Sequence, residues 1–496
     1  MEYRDFQLVA SDVQVAKQKG KKLVRFRVQV THTPDGRTLV KGIPVQYDAN
    51  ELRLLLQNWE EREELTWPDV IEVGLWLGNM LFPAEVRKLL EESISLAKDY
   101  GLRLRLLLQS ELHNVPWEYA LLNRGGGEAT PTDFLGLMPN VSIVRHQEAG
   151  VPGWEVKARL PAKVVVALAN VSDYPELDLK EERSAIQQAL QGNPHLTMVT
   201  VEPAGGNLMQ DKTLQAHLFH FAGHAEFRPQ VVAQPGAVEG TGAIIVDDGY
   251  GDPQPLPGDQ LALRLRQAGV RVAVLGACRS GRRGDVNRWS SVAGALLKAG
   301  LGAVVAMQYN IRDRSAIAFA KELYGALATG LSIDEAMNAG RLAIAGSEDV
   351  RGWGMPVLYL QTWDGVIFPE QAADSTLEKE REAIRKRATT ITGTRIGKMR
   401  GGKSKVRQVF AEVPADTDIC GHDVGEMSGG ELDTDQHFGQ VKGRVTGMRV
   451  QSLGRSRAQF NRSARSGKRH CTRCGAELEA DYDFCARCGA AAEHGT

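Results

Sequence analysis

Two apolar runs of strand length each deliver one reactive side chain into a turn of small residues. Val272 to Leu275 runs into Gly276, Ala277 and Cys278, followed by Arg279, Ser280 and Gly281. Leu218 to Phe221 runs into Ala222, Gly223 and His224. In open parallel sheets, sites lie outside the carboxyl ends of the strands. A thiol and an imidazole presented there form a Cys/His dyad: the thiolate attacks, and the imidazole takes its proton and returns it to the leaving amine. The competing assignment for Cys278 is a small buried hydrophobe, the usual place of a lone cysteine. Of two neighbouring histidines, His217 precedes its strand and is expected to be exposed. His220 lies within the strand, where a hydrogen-bonded core role is the ordinary one.

A second constellation closes the chain. Cys471-Thr472-Arg473-Cys474 and Cys485-Ala486-Arg487-Cys488 form a CxxC…CxxC pair, with Gly475 and Gly489 after the two halves. Four thiolates on two such turns suit a closed, tetrahedral, structural zinc site. A segment this short has almost no core, so the metal would supply its folding energy. His470 is adjacent and superfluous beside four cysteines. A redox role for either CxxC is the alternative.

Composition bounds the rest. The chain has 496 residues, 43% hydrophobic and 24% charged, with a net charge of −1. That length suits about three domains, and the balance of charge excludes a molecule that binds nucleic acid through its overall field. Of the six cysteines, four lie in the CxxC pairs and the others are Cys278 and Cys420. That usage suggests metal and catalysis instead of disulfides, hence a reducing, cytoplasmic setting. No signal peptide and no apolar run of membrane length is expected.

The elements that must position these residues follow from periodicity. Residues 1–150 read as an N-terminal α/β scaffold, with alternating strands at Lys22 to Thr31 and Leu102 to Leu108 and amphipathic helices at Asp48 to Glu64 and Pro83 to Asp99. His113 and Trp117 are expected in a core or interface, and Glu148 to Lys157 as a linker. From Leu160 the pattern becomes βα repeats, which predicts a mainly parallel sheet with helices on both faces. Gly242 to Asp259 reads as a hairpin or loop around Asp247-Asp248-Gly249, and Ser290 or Ser291 as a helix cap. Met355 to Leu360 is expected to close the sheet. Ser375 to Glu378 reads as a capping box for a charged helical linker over 369–390. Glycines at 393, 397, 401, 439, 443 and 447 predict a small stacked β element over 391–452. Residues 453–469 read as a flexible basic linker, and 470–490 as the zinc ribbon.

His220 to His224 (HFAGH), LGACRSG around Cys278, Ser291 to Ala306 and Gly330 to Met337 (GLSIDEAM) occur in that order. Together these words resemble the CHAT family, caspase-like peptidases of the wider group that includes separase, gingipain and legumain. The likeness runs from about Leu160 to Phe368 and reaches upstream to Val115-Pro116-Trp117-Glu118. Its spacing also fits the caspase pattern, with a histidine about 50 residues before the cysteine; here the gap is 54 (278 − 224). The resemblance implies a caspase-like domain over 158–368, a bacterial cysteine endopeptidase and the dyad His224/Cys278 with no catalytic cofactor. It also implies an oxyanion site from the backbone N–H groups of Ala225 and Cys278. Family members usually carry glycine after the histidine, where this chain has Ala225, which still supplies an amide.

In arginine- and lysine-specific relatives an acidic residue lines the substrate pocket, and Asp313, just after the Val304 to Gln308 strand, occupies a fitting place. Its alternative is a helix cap, and Asp285 and Asp248 are weaker candidates for the pocket. The implied partner is a protein substrate, cleaved after Arg or Lys, with C-terminal modules that respond to a regulatory protein or nucleic acid. The other readings are a catalytically silent caspase-like interaction module, and a nucleic-acid-sensing regulator acting through Arg395, Lys398, Arg400, Lys403, Lys405 and the 455–468 stretch.

Overall fold

The structure, a computed structural model, describes residues 1–18, 21–62, 65–97, 100–123, 129–146, 156–208, 215–230, 239–277, 288–309, 311–346, 349–400, 403–413, 418–428, 431–441, 444–453, 457–464, 469–470 and 477–478. Two compact units divide the chain: one holds residues 1–124, 133–345 and 349–382, the other 383–496 with two short loops.

The first unit begins with β1 (Tyr3–Gln18), β2 (Lys21–His32) and β3 (Leu39–Asp48), an antiparallel run. Then come α1 (Ala49–Glu61), α2 (Trp67–Leu81), α3 (Ala84–Leu96), β4 (Gly101–Leu108) and β5 (Val141–His146). The βα repeats follow as β6 (Ala162–Leu168), α4 (Leu179–Leu190), β7 (Leu196–Val201) and β8 (Leu218–Gln230). Next are β9 (Glu239–Asp247), β10 (Pro253–Pro257), α5 (Gly258–Gln267), β11 (Val272–Ala277), α6 (Arg288–Lys298) and β12 (Ala303–Met307). The unit ends with α7 (Asp313–Ala328), α8 (Ile333–Ala345), β13 (Pro356–Leu360), α9 (Pro369–Ala373) and the start of α10 (Glu378–Thr389).

One 13-stranded sheet runs β10-β9-β8-β11-β12-β13-β5-β4-β1-β2-β3, with β6 and β7 joining beside β8. The fold class is α/β, and β6, β7, β8, β11 and β12 are parallel. The blocks expected at 1–150 and 158–368 therefore share one sheet. Strand β13 does not close it: it pairs antiparallel with β12 and parallel with β5, and so joins the blocks. Its five residues are all buried, as a strand covered on both faces requires.

The word Pro116-Trp117-Glu118 braces this junction. Glu118 holds Arg145 of β5 through two hydrogen bonds, at 2.9 and 2.6 Å, and both side chains are buried. Burial alone would depress the Arg145 guanidinium; the Glu118 carboxylate offsets it and its pKa is raised. Arg145 also donates to the Gln308 side chain at 3.0 Å, at the carboxyl end of β12. Trp117 is fully buried and donates to the Leu112 carbonyl at 2.9 Å. His113 is bonded to the Leu108 carbonyl at 2.8 Å. Trp117 fills the core role expected of it, while His113 is only half-buried.

Several local expectations change. Ser291 lies inside α6, not at its cap, and its hydroxyl accepts from the Gly242 amide at 2.9 Å, tying α6 to β9. Asp374, not Ser375, caps the short 3-10 turn ahead of α10, accepting from the Thr376 amide at 2.8 Å. His217 is half-buried, not exposed, because its ring sits against the Lys163 amide. The 242–259 excursion is a hairpin of β9 and β10, turned at Gly249 with φ +102°.

The second unit contains β14 (Thr390–Arg400), β15 (Lys403–Val413), β16 (Asp418–Ser428), β17 (Glu431–Val441), β18 (Arg444–Leu453) and β19 (Arg457–Ala464). They form two parallel three-stranded sheets, β14-β16-β18 and β15-β17-β19. Successive strands alternate between the sheets, so each pair is one coil of a stack. Residues 457–464, expected in a flexible linker, are strand β19. Thr390, Asp418 and Arg444 share one register position, steps of 28 and 26 residues (418 − 390 and 444 − 418). A short antiparallel pair, β20 (Arg469–His470) and β21 (Glu477–Leu478), follows.

Candidate active site

Strand β8 changes neighbours where the chemistry was expected. Leu218 to Ala222 pair with β6, and Leu218 to Gly223 with β11, all parallel. From His224 onward the strand pairs antiparallel with β9, starting with His224 opposite Ile245. His224 thus occupies the residue at which β6 ends and β9 takes over, a break at the carboxyl edge of the parallel strands.

The loop after β6 crosses that break and is pinned at several points. The Asn170 side chain donates to and accepts from Leu177, at 3.0 and 3.1 Å. Ser172 is held to the β9–β10 turn by Gly251 and Asp252. The Pro175 carbonyl, on the same loop, accepts from Nε2 of His224 at 2.9 Å. Tyr174 lies against the imidazole, ring centroids 4.8 Å apart and 31° tilted. His224 is buried. A carbonyl cannot donate, so the neutral ring carries its hydrogen on Nε2, which makes Nδ1 the proton acceptor.

Cys278 lies outside the described residues. Its chain predecessor, Ala277, is the last residue of β11 and pairs with Gly223, the residue before His224. Each member of the expected dyad therefore stands one peptide bond beyond an in-register pair. Ala225 is buried and pairs with Ile244. Asp313 is the first residue of α7 and not its cap; Arg312 occupies the cap position and makes no side-chain capping bond there. Its Oδ1 is buried and has no hydrogen-bond partner among the described residues. Asp248 forms the hairpin turn, accepting from the Tyr250 amide at 2.8 Å, and Asp285 lies outside the described residues.

Behind the site, sequence reasoning identified His220 as a core residue and missed its partners. Nε2 of His220 is 3.1 Å from Glu182 Oε1 of α4, and Nδ1 is 3.2 Å from the Tyr324 hydroxyl of α7. A Cβ on Gly276 would come within 3.3 Å of Glu182 Oε1 and 3.7 Å of His220 Nε2. The fit is tight and favours a small residue two positions before Cys278. Burial pushes the Tyr324 hydroxyl pKa up, and Glu182 adds to the effect.

The CHAT domain model matches residues 72–383, more than half of the 496 residues. The chain belongs to the CHAT domain family. The match starts upstream of the expected domain boundary at 158 and takes in β4, β5 and the Glu118 brace. Among solved structures, Saccharomyces cerevisiae separase in its complex with securin is similar at 16% identity, over 57% of this chain and 17% of that one, with a TM-score of 0.29. The complex of the pro- and mature domains of Porphyromonas gingivalis RgpB is similar at 13% identity, over 59% and 72%, with a TM-score of 0.34. This CHAT chain therefore spans less than a fifth of the separase it matches. No curated protein matches it. Among the described residues no helix is long and apolar enough to cross a membrane, and no cluster of metal-ligating side chains occurs.

Proposed function

We propose that the chain is a cysteine endopeptidase of the CHAT type that cleaves a protein partner, with Cys278 as nucleophile and His224 as general base. The observation that carries this is the hold of the Pro175 carbonyl on His224 Nε2, at the residue following Gly223, whose partner Ala277 precedes Cys278. Nδ1 takes the thiol proton. The sulfur attacks the scissile carbonyl carbon, a C–S bond forms and the carbonyl electrons move to oxygen, next to the amides of Ala225 and Cys278. Collapse breaks the C–N bond as the imidazolium returns its proton to the leaving amine. Water, deprotonated by His224, then displaces the sulfur and releases the carboxylic acid. Asp313, with its buried carboxylate oxygen, fits a pocket for a substrate Arg or Lys, since a guanidinium pairs bidentately with a carboxylate.

The four cysteines 471, 474, 485 and 488 lie outside the described residues. The β20–β21 pair joins His470 to Glu477, which flank the first CxxC in sequence, and four thiolates are the donor set of a structural zinc. Zinc there would supply folding energy to the tail and no catalytic step. The stack and ribbon serve in this reading as the modules that bind a regulator.

The interaction-module reading makes the opposite prediction for one experiment. Wild type and Cys278→Ala are incubated with a candidate partner protein, and cleavage is followed by mass spectrometry. Site-specific cleavage by wild type alone supports the peptidase. Equal outcomes for both proteins, with the partner bound and intact, transfer the function to binding.

A further inference from the structure

We propose that His220 is a positioning residue for the dyad, acting through Glu182 and α4 on the carbonyl that orients His224; this rests on the Cys278/His224 reading. Positions 220 and 224 of β8 share a face, because strand side chains alternate. Both histidines reach the same neighbour. His224 bonds to Pro175, three residues before the α4 cap Asp178, and His220 bonds to Glu182, in the first turn of α4. The start of α4 is therefore fastened to β8 twice, once at each histidine. Tyr324 holds the far side of the His220 ring from α7. Relative exposure is 1% for His220, 3% for Glu182 and 0% for Tyr324, so all three side chains are withdrawn from bulk solvent.

A second path leads to the nucleophile. Gly276 packs on the Glu182–His220 pair, and the chain from Gly276 leads in two residues to Cys278. One buried cluster thus underlies both β8, which carries His224, and β11, which leads to Cys278. Releasing Glu182 frees the entry of α4, moves the Pro175 carbonyl off His224 and loosens the pair on which Gly276 packs. The expected consequence is a misoriented base and a thiol that loses its thiolate at mildly acid pH.

The experiment uses the full chain and needs no substrate. Iodoacetamide alkylation is read by mass spectrometry on the peptide containing Cys278, between pH 5 and 9, in wild type, Glu182→Leu, Glu182→Gln and His224→Ala. Glu182→Leu removes the acceptor at similar volume, and Glu182→Gln keeps an oxygen for Nε2–H while losing the charge. At pH 6, His224→Ala and Glu182→Leu are expected to label about tenfold more slowly than wild type, with the pH profile moved toward that of a free thiol near 8.5. Glu182→Gln is expected to restore labelling to within about twofold of wild type, because the hydrogen bond survives. Thermal midpoints measured alongside separate this from general loosening. If His224→Ala labels at the wild-type rate, the dyad reading fails. If His224→Ala is slow while Glu182→Leu matches wild type, the dyad stands and the positioning role is overturned. Should Glu182→Leu not fold, Tyr324→Phe replaces it; labelling slowed at pH 6 supports the role, and the wild-type rate overturns it.

Discussion

The carbonyl oxygen of Pro175 accepts a hydrogen bond from Nε2 of His224 at 2.9 Å. That one contact fixes the tautomer and leaves Nδ1 as the ring's acceptor nitrogen, the atom proposed as the base, while Tyr174 lies against the ring. A backbone acceptor does this without adding a second ionisable group to the site.

Replacing His224 by Gln keeps a side chain able to donate to Pro175 and removes the base. Turnover of a peptide substrate should fall about 10²–10⁴-fold, the usual contribution of general base catalysis. The double variant with Cys278→Ala should be no slower than Cys278→Ala alone, since the pair acts as a unit. Additive losses in steady-state kinetics would mean that the two residues do not serve one step.

Asp313→Asn tests the pocket. Removing the charge facing a buried guanidinium should cost about 2–5 kcal/mol in kcat/KM for a peptide cleaved after Arg. A peptide cleaved after an uncharged residue should be nearly unaffected. Because Asp313 also sits in the first turn of α7, a stability loss of about 0.3–1 kcal/mol is expected in either case. Unchanged discrimination between the two peptides, with only that small loss, would leave Asp313 as a helix-end charge.

How far the sequence exposed the site depends on what each group is. The apolar run leading to His224 was readable as a side-chain pattern, but the turn expected there is strand: β8 continues to Gln230, paired with β9 from His224 onward. Pro175 was not readable, since any residue supplies a carbonyl and only the path of the loop brings this one to the ring. Glu182 left a trace that went unused. In α4 it lies three residues after Leu179 and four before Ile186, on the buried stripe, yet it reads like the exposed Glu181 beside it. Helix α2 was missed because Gly74 and Gly78 argue against a helix. They are required by packing: a Cβ on Gly78 would meet the Leu121 carbonyl at 2.0 Å. In the tail, the four-residue glycine spacing masked the longer repeat of about two strands.

The zinc assignment predicts about one zinc per chain in metal analysis of purified protein. Cys485→Ser should release the metal and unfold the tail, while the thermal transition of the CHAT unit stays in place. A preparation with no bound zinc, iron or cobalt would remove the ribbon from the account.

The last prediction concerns the register of the coil stack. Lys403, Lys405 and Arg407 of β15 stand opposite Glu431, Asp433 and Asp435 of β17, and Glu431 in turn stands opposite Arg457 of β19. The companion sheet repeats the order: Arg395 opposite Asp423, and Asp423 opposite Arg449. An acidic middle coil thus lies between two basic ones. Opposite charges at facing strand positions contribute roughly 0.2–1 kcal/mol each, and like charges destabilise by similar amounts. Of the basic residues 395, 398, 400, 403 and 405, which suggested nucleic-acid binding, all but Arg400, opposite Ser428, fall at positions aligned with an acidic one. Asp433→Lys with Asp435→Lys would set like charges against Lys405 and Arg407. Limited proteolysis of full-length protein should then cut within 403–441 far sooner than in wild type, and high salt should protect the variant by screening the repulsion. If the variant resists protease as wild type does at low salt, charge pairing does not hold the register.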